Sequence, residues 1–146
     1  IMHWALHIND PLDWLAFNKN VLTEKLVDEN DNEFKQYLDR YKYADRFPDN
    51  SLEYHQQQAC TFPNRLEILL QENRYLLSNQ PTLADVAIFP FIRQFAFVDK
   101  KWFDQMPWKL LQHWLDRFLN DPLFDLVMKK NQPWQATSQL KIFPDI

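Results

Sequence analysis

Apolar positions along the chain recur at intervals of three and four, in segments separated by Asn, Asp and Pro rather than by glycine. Ile1, Met2, Ala5 and Leu6 already keep helical spacing with no capping residue ahead of them. The start therefore reads as the end of a helix whose beginning is missing, in a fragment cut from a longer parent. Asn9-Asp10-Pro11 breaks that helix, with Asp10 suited to cap a new one and Pro11 to its first position. Leu12, Leu15, Ala16, Val21, Leu22 and Leu26 carry the new helix to an acidic, Asn-containing cluster at 28–33. That cluster is expected to end it and to cap the next, residues 33–47, with a stripe of Phe34, Tyr37, Leu38, Tyr41 and Ala44. Acids lead this helix and Lys35, Arg40, Lys42 and Arg46 trail, as the helix dipole favours.

Pro48-Asp49-Asn50 breaks the pattern, and Ser51 opens a long helix expected to run through Leu66, Leu69, Leu70, Leu76 and Leu77 with a kink at Pro63. Thr82-Leu83-Ala84-Asp85 then spells an N-capping box, with Asp in the position usually held by Glu. Val86, Ile88, Phe89, Ile92, Phe95 and Phe97 make the helix it opens apolar nearly all round, so it is predicted to be the buried central helix, bent at Pro90. After a connection around Met106-Pro107, Leu110, Leu111, Trp114, Leu115, Phe118 and Leu119 mark an amphipathic helix. Asp121-Pro122 starts a last short helix through Met128, and Trp134, Leu140, Ile142 and Phe143 in the remainder suggest a tail that docks.

Composition narrows the class. The 146 residues suffice for one domain with a proper core, and 46% hydrophobic with 25% charged residues is ordinary for a globular protein. Six Trp and twelve Phe predict a well-filled core. The absence of glycine removes phosphate loops, dinucleotide turns, EF-hand loops and nucleophile elbows in their usual forms. A net charge of −4 disfavours nucleic-acid binding, which needs a concentrated basic face. There is no run of about eighteen apolar residues to span a membrane. A single cysteine and no signal-peptide pattern make a cytoplasmic setting the expectation.

Candidate chemistry is sparse. His3 and His7 share a helix face at i, i+4, but two imidazoles without a third ligand are an incomplete metal set, and no metal is expected. Cys60 sits between Ala59 and Phe62 and reads as an inert, buried thiol. Ser51 and Ser78 fall at helix boundaries, and His55 and His113 stand alone in helical patterns, so structural roles are expected. Thr82 and Asp85 read as a structural pair fixing the start of the core helix.

The box at Thr82–Asp85, followed by Val86-Ala87-Ile88-Phe89-Pro90-Phe91, resembles the segment that opens the central helix of glutathione transferase C-terminal domains. Asp39-Arg40-Tyr41-Lys42-Tyr43, and the run from Trp114 to its Asn120-Asp121-Pro122-Leu123-Phe124 turn, are similar to bacterial members of that family. Ile1 to Leu6 looks like the last helix of the family's thioredoxin-like N-terminal domain. The resemblance thus implies an all-α, glutathione transferase C-terminal-like helical bundle over residues 12–146. Residues 1–11 would be a remnant of the thioredoxin-like domain's helix and the interdomain linker.

In this family the thioredoxin-like domain binds and activates glutathione, and everything it supplies would precede Ile1. The resemblance therefore implies no catalytic residue and no bound cofactor here, with glutathione the co-substrate of the parent. It implies a wall of the pocket for small hydrophobic electrophiles, conjugated or exchanged with the glutathione thiol, and a share in a homodimer interface. The pocket candidates are Arg40, Tyr41 and Tyr43, able to stack and to pair with an anion, together with Trp14 and Phe17 beside the interdomain cleft. The alternative is a non-catalytic protein-interaction module on the same helical fold. A third reading, an unrelated ligand-binding bundle, treats the resemblance as chance.

Overall fold

The computed structural model describes residues 1–15, 21–130, 133, 135 and 136, and the described residues contain helices and no strand. Helix α1 spans Met2–Ile8 and ends at Asn9. Asp10 does not open a helix at Pro11. Its two carboxylate oxygens accept the N–H groups of Trp14 and Leu15 at 2.9 and 2.8 Å, closing a turn through 11–15 instead. Asp13 takes the left-handed conformation there, φ 54°, which Asp tolerates better than most residues and which interrupts any helix.

Helix α2, Val21–Glu29, and helix α3, Lys35–Lys42, are joined by a π-helical turn, Asn30–Phe34. The acidic cluster therefore does not break the chain as its composition suggests. Thr23, Leu26, Asn30, Phe34, Leu38 and Tyr41 are all buried. Three successive four-residue steps would swing a regular α-helical stripe about 120° off its face at about 100° per residue. One extra residue in a wide turn absorbs most of that drift and keeps both halves facing the core. A short 3₁₀ turn, Ala44–Arg46, ends the segment.

Ser51 caps helix α4, Leu52–Ala59, by accepting the Tyr54 N–H at 3.2 Å. The expected long helix divides at Cys60, and helix α5, Thr61–Leu69, carries Pro63 in its first turn, where a missing N–H is tolerated. Leu76 and Leu77 lie outside it, in a loop that returns on itself through a Tyr75 N–H to Ser78 carbonyl bond of 2.9 Å. Helix α6, Leu83–Ala96, is the central helix and runs unbroken across the exposed Pro90. It is not enclosed all round, because Phe97 at its end is 54% exposed. Helix α7, Lys100–Gln105, fills part of what reads as a connection and is capped by Asp99, which accepts the Trp102 N–H at 3.0 Å. Helices α8, Lys109–Leu119, and α9, Pro122–Met128, follow as the pattern predicts, Asp121 capping α9.

Helix α6 packs against α2, α3 and α8, with α4 on α3 and α5 on α8. Phe95 lies at the hub of an aromatic core, with ring centroids 5.7 Å from Phe34 and Tyr41, 5.8 Å from Trp102 and 6.0 Å from Trp108. Phe89, one and a half turns earlier, anchors a second cluster with Phe118 at 5.0 Å, Phe124 at 5.5 Å and Trp114 at 6.4 Å. Such offset and edge-on pairs add to the area they bury.

Candidate functional site

Asp85 accounts for how α6 is held. Its Oδ2 accepts the Thr82 N–H at 2.9 Å and the Thr82 hydroxyl at 2.7 Å, and its Oδ1 accepts the Leu76 N–H and the Trp114 indole N–H, each at 2.9 Å. A carboxylate offers about four acceptor sites, and all are used. The two halves of the capping box are unequal. The carboxylate half carries the short bonds, and the Thr82 hydroxyl facing the Asp85 amide is the looser half. This fully buried group ties the 70–80 loop, the start of α6 and the middle of α8 together.

Beside this anchored helix lies an apolar groove of about 480 Å³. Val86 and Phe89 of α6 form one wall, Leu123, Phe124 and Val127 of α9 the other, and Leu12 and Trp14 close one side. Helix α9 buries none of its residues completely; Leu123, Phe124 and Val127 line the groove, and Phe124 also packs on the core through Phe89. Two further hollows, each about 400 Å³ or less, border the α2 region and are polar or mixed in character.

The pocket candidates fall in separate places. Trp14 lines the groove, half-buried, and Phe17 lies outside the described residues. Tyr41 is in the core, packed on Phe95 and Trp102, with its hydroxyl accepting the Gln56 amide N–H at 2.9 Å. Burial holds its phenol above the ordinary value, against the Gln56 bond, which pulls the other way. Arg40 is exposed and stands over the Phe47 ring at 5.7 Å. Tyr43 is half-buried, with Lys42 and Arg46 at 5.0 and 4.4 Å from its ring. Arg40, Tyr41 and Tyr43 are thus neighbours in sequence without sharing a cavity with Trp14. Trp134 and Phe143, read as part of a docking tail, lie outside the described residues.

The remaining reactive side chains have structural company. The Cys60 thiol donates to the Gln56 carbonyl at 3.1 Å, and burial pushes its pKa up to about 11. Buried His55 lies 3.2 Å by its Nε2 from the Phe47 carbonyl. His7 Nδ1 is 2.6 Å from the His3 carbonyl, and among the described residues no group of three or more His, Cys, Asp or Glu could hold a metal. No helix among them is long and apolar enough to cross a membrane.

Sequence reasoning missed the α9 wall of the groove and the seating of Arg93 over the Phe124 ring. The available signal was a short terminal helix, Leu123 to Met128, apolar on more sides than one packing partner can cover.

Residues 61–117 match the family model of the glutathione S-transferase C-terminal domain. The match runs from α5 into α8, and so contains the capping box, the central helix and Trp114. No curated protein and no solved structure matches the chain. The two ends of the groove's lining, Trp14 and α9, lie outside the matched stretch.

Proposed function

Because its helical domain is of the glutathione S-transferase C-terminal type, we propose that the chain is the helical part of a cytoplasmic glutathione transferase-like protein. A thioredoxin-like domain of the same parent supplies the glutathione site, and the helical domain supplies the apolar wall against which a small hydrophobic electrophile rests. The thiolate of glutathione then attacks that electrophile, or exchanges with a disulfide, and the helical domain contributes shape and desolvation. On this reading the thiol is activated in the thioredoxin-like domain, so the chain alone is inactive, and the parent works as a homodimer.

The observation that carries this reading is the α6–α9 groove, an apolar hollow of about 480 Å³ held on the capped central helix. Ligand sites are commonly concave and mostly apolar with few polar groups. Helix α1 supports it from the other side. It buries none of its residues, and Trp4 is 69% exposed, so little packing within the described chain stabilises it. A short helix of that kind fits a piece of the neighbouring domain.

The test uses the full-length parent. It should be retained on immobilised glutathione and should turn over a reactive aryl halide such as chlorodinitrobenzene or a glutathione mixed disulfide. A parent that does neither is a docking module, and the enzyme reading is lost.

A further inference from the structure

The end of α3 carries three cations that stand outside every ion pair of the described residues. Residues 40–47 hold Arg40, Lys42 and Arg46 against one acid, Asp45, in a chain whose net charge is −4. All three cations are exposed, and each lies over a ring. The Arg40 guanidinium carbon is 5.7 Å from the Phe47 centroid, and Tyr43 has Lys42 Nζ at 5.0 Å and the Arg46 guanidinium carbon at 4.4 Å. The ion pairs among the described residues join Lys35 to Asp31, Arg65 to Glu29 and Lys100 to Asp104. Asp39, Asp45 and Asp49 are exposed in the same stretch, yet none of them closes a pair with these cations. Lys42 reaches Gln94 Oε1 only at a long 3.4 Å. The helix dipole accounts for Arg40 and Lys42 in the last turn of α3. It does not account for Arg46, which lies beyond that helix in the 3₁₀ turn, with its N–H bonded to the Tyr43 carbonyl at 2.8 Å.

We infer that this ledge is a docking surface for an acidic peptide segment of a partner protein, whose spaced carboxylates pair with Arg40, Lys42 and Arg46. Long basic side chains lose rotamer freedom when they bind, and rings that already hold them lower that cost. Arg and Tyr are also residues on which binding energy concentrates at protein interfaces. Two cations over the one Tyr43 ring repel each other, and a bound carboxylate relieves that repulsion. The interleaved acids select the kind of anion. The evenly spaced charges of a phosphate backbone would meet Asp39, Asp45 and Asp49, whereas a peptide can set uncharged residues opposite them. The inference is separate from the glutathione reading, and it puts Arg40 and Tyr43 on an interaction surface instead of in the electrophile pocket.

The test uses the chain itself and the fluorescence anisotropy of a dye-labelled peptide of alternating Glu and Ala, with the matching Gln and Ala peptide as control. The Glu peptide should bind, more weakly as salt rises, and the Gln peptide should not. Arg40→Gln and Arg46→Gln should each weaken the Glu peptide about threefold, the scale of one exposed ion pair, and the double variant about tenfold. Tyr43→Leu, which keeps every charge and removes the shared ring, should also cost about threefold, while Tyr43→Phe should bind as the natural chain does. Lys129→Gln, which removes one exposed charge after α9, should leave the affinity unchanged. Failure of the Glu peptide to bind overturns the inference, as does equal binding of the Gln peptide or an unchanged affinity in the double variant. A loss in Lys129→Gln as large as in Arg46→Gln, or full-strength binding by Tyr43→Leu, overturns it as well. A single-stranded oligonucleotide of like charge that binds these arginines more tightly than the peptide makes the surface a nucleic-acid site, and the inference falls.

Discussion

The indole N–H of Trp114 donates to Asp85 Oδ1 at 2.9 Å, across the junction between α8 and the first turn of α6. The pair is fully buried, and 29 residues separate its members. A local capping motif is thereby converted into a tertiary tie.

That tie makes Asp85 more important than a cap alone. Asp85→Ala should destabilise by about 3 kcal/mol or more, because four donors lose their acceptor and three of them are backbone or indole N–H groups in a dry site. Thr82→Ala should cost about 1 kcal/mol, the usual loss for an N-cap. Urea unfolding of the two variants measures the difference, and equal losses would show that the Leu76 and Trp114 bonds contribute nothing.

Helix α8 is capped from outside its own chain segment. Its N-cap, Trp108, makes no side-chain cap, and Glu67 of α5 accepts the Leu110 and Leu111 N–H groups at 3.1 and 2.8 Å. One turn earlier on α5, Asn64 accepts the Trp108 indole N–H at 2.6 Å. Glu67→Ala should cost about 1 to 2 kcal/mol and Glu67→Gln clearly less, since the amide keeps one acceptor oxygen. Thermal melts of both variants check this, the order Ala below Gln below the natural residue being the expected result.

The π turn holds one residue more than a regular helix needs. Removing Asn32, which is exposed, would leave buried positions at intervals of three, four, three, four and three, the spacing of an ordinary amphipathic helix. The deletion variant should keep its far-UV helical signal and melt within a few degrees of the natural chain, roughly the effect of a mild surface change. Loss of cooperative unfolding would mean that the wide turn itself is required.

Cys60 supplies a pH dependence. Its folded pKa of about 11 lies above the 9.0 of an unperturbed thiol, the cause being burial. The folded state therefore holds the proton more tightly than the unfolded state. Stability from this group is complete below about pH 9 and declines as pH rises toward 11. The same difference leaves roughly a hundredfold less thiolate at pH 8 than in a free thiol, so iodoacetamide should label Cys60 about that much more slowly in the folded chain than in urea. Labelling at the unfolded rate would contradict the buried thiol.

Much of the helical architecture was legible along the chain because its causes are local. Ser51, Asp121 and the Thr82–Asp85 box mark helix starts by side chains that reach N–H groups two or three residues away. The central position of α6 followed from its apolar composition, and its likeness to the glutathione transferase helical domain rested on the same residues that the family match contains. Local patterns failed where two local signals competed. Asp10 before Pro11 is as good a turn former as a helix cap, and the left-handed Asp13 settles it as a turn. The polar run at 28–33 looks like a break, yet it continues as helix because it contains neither proline nor glycine and because Asn30 and Phe34 are drawn into the core.

By itself the sequence determined the starts of α4, α6 and α9, which helix faces are apolar and which chemistries a glycine-free chain cannot host in their usual forms, since these depend on side chains within a turn or two of each other. Only the tertiary structure decided that Tyr41 belongs to the core, that Asp85 meets Trp114, that α9 leaves a groove open and that Arg93 stands over the Phe124 ring. The reason is that burial, counter-charge and concavity are set by which distant segments pack together, and no interval along the chain encodes the distance between Arg93 and Phe124.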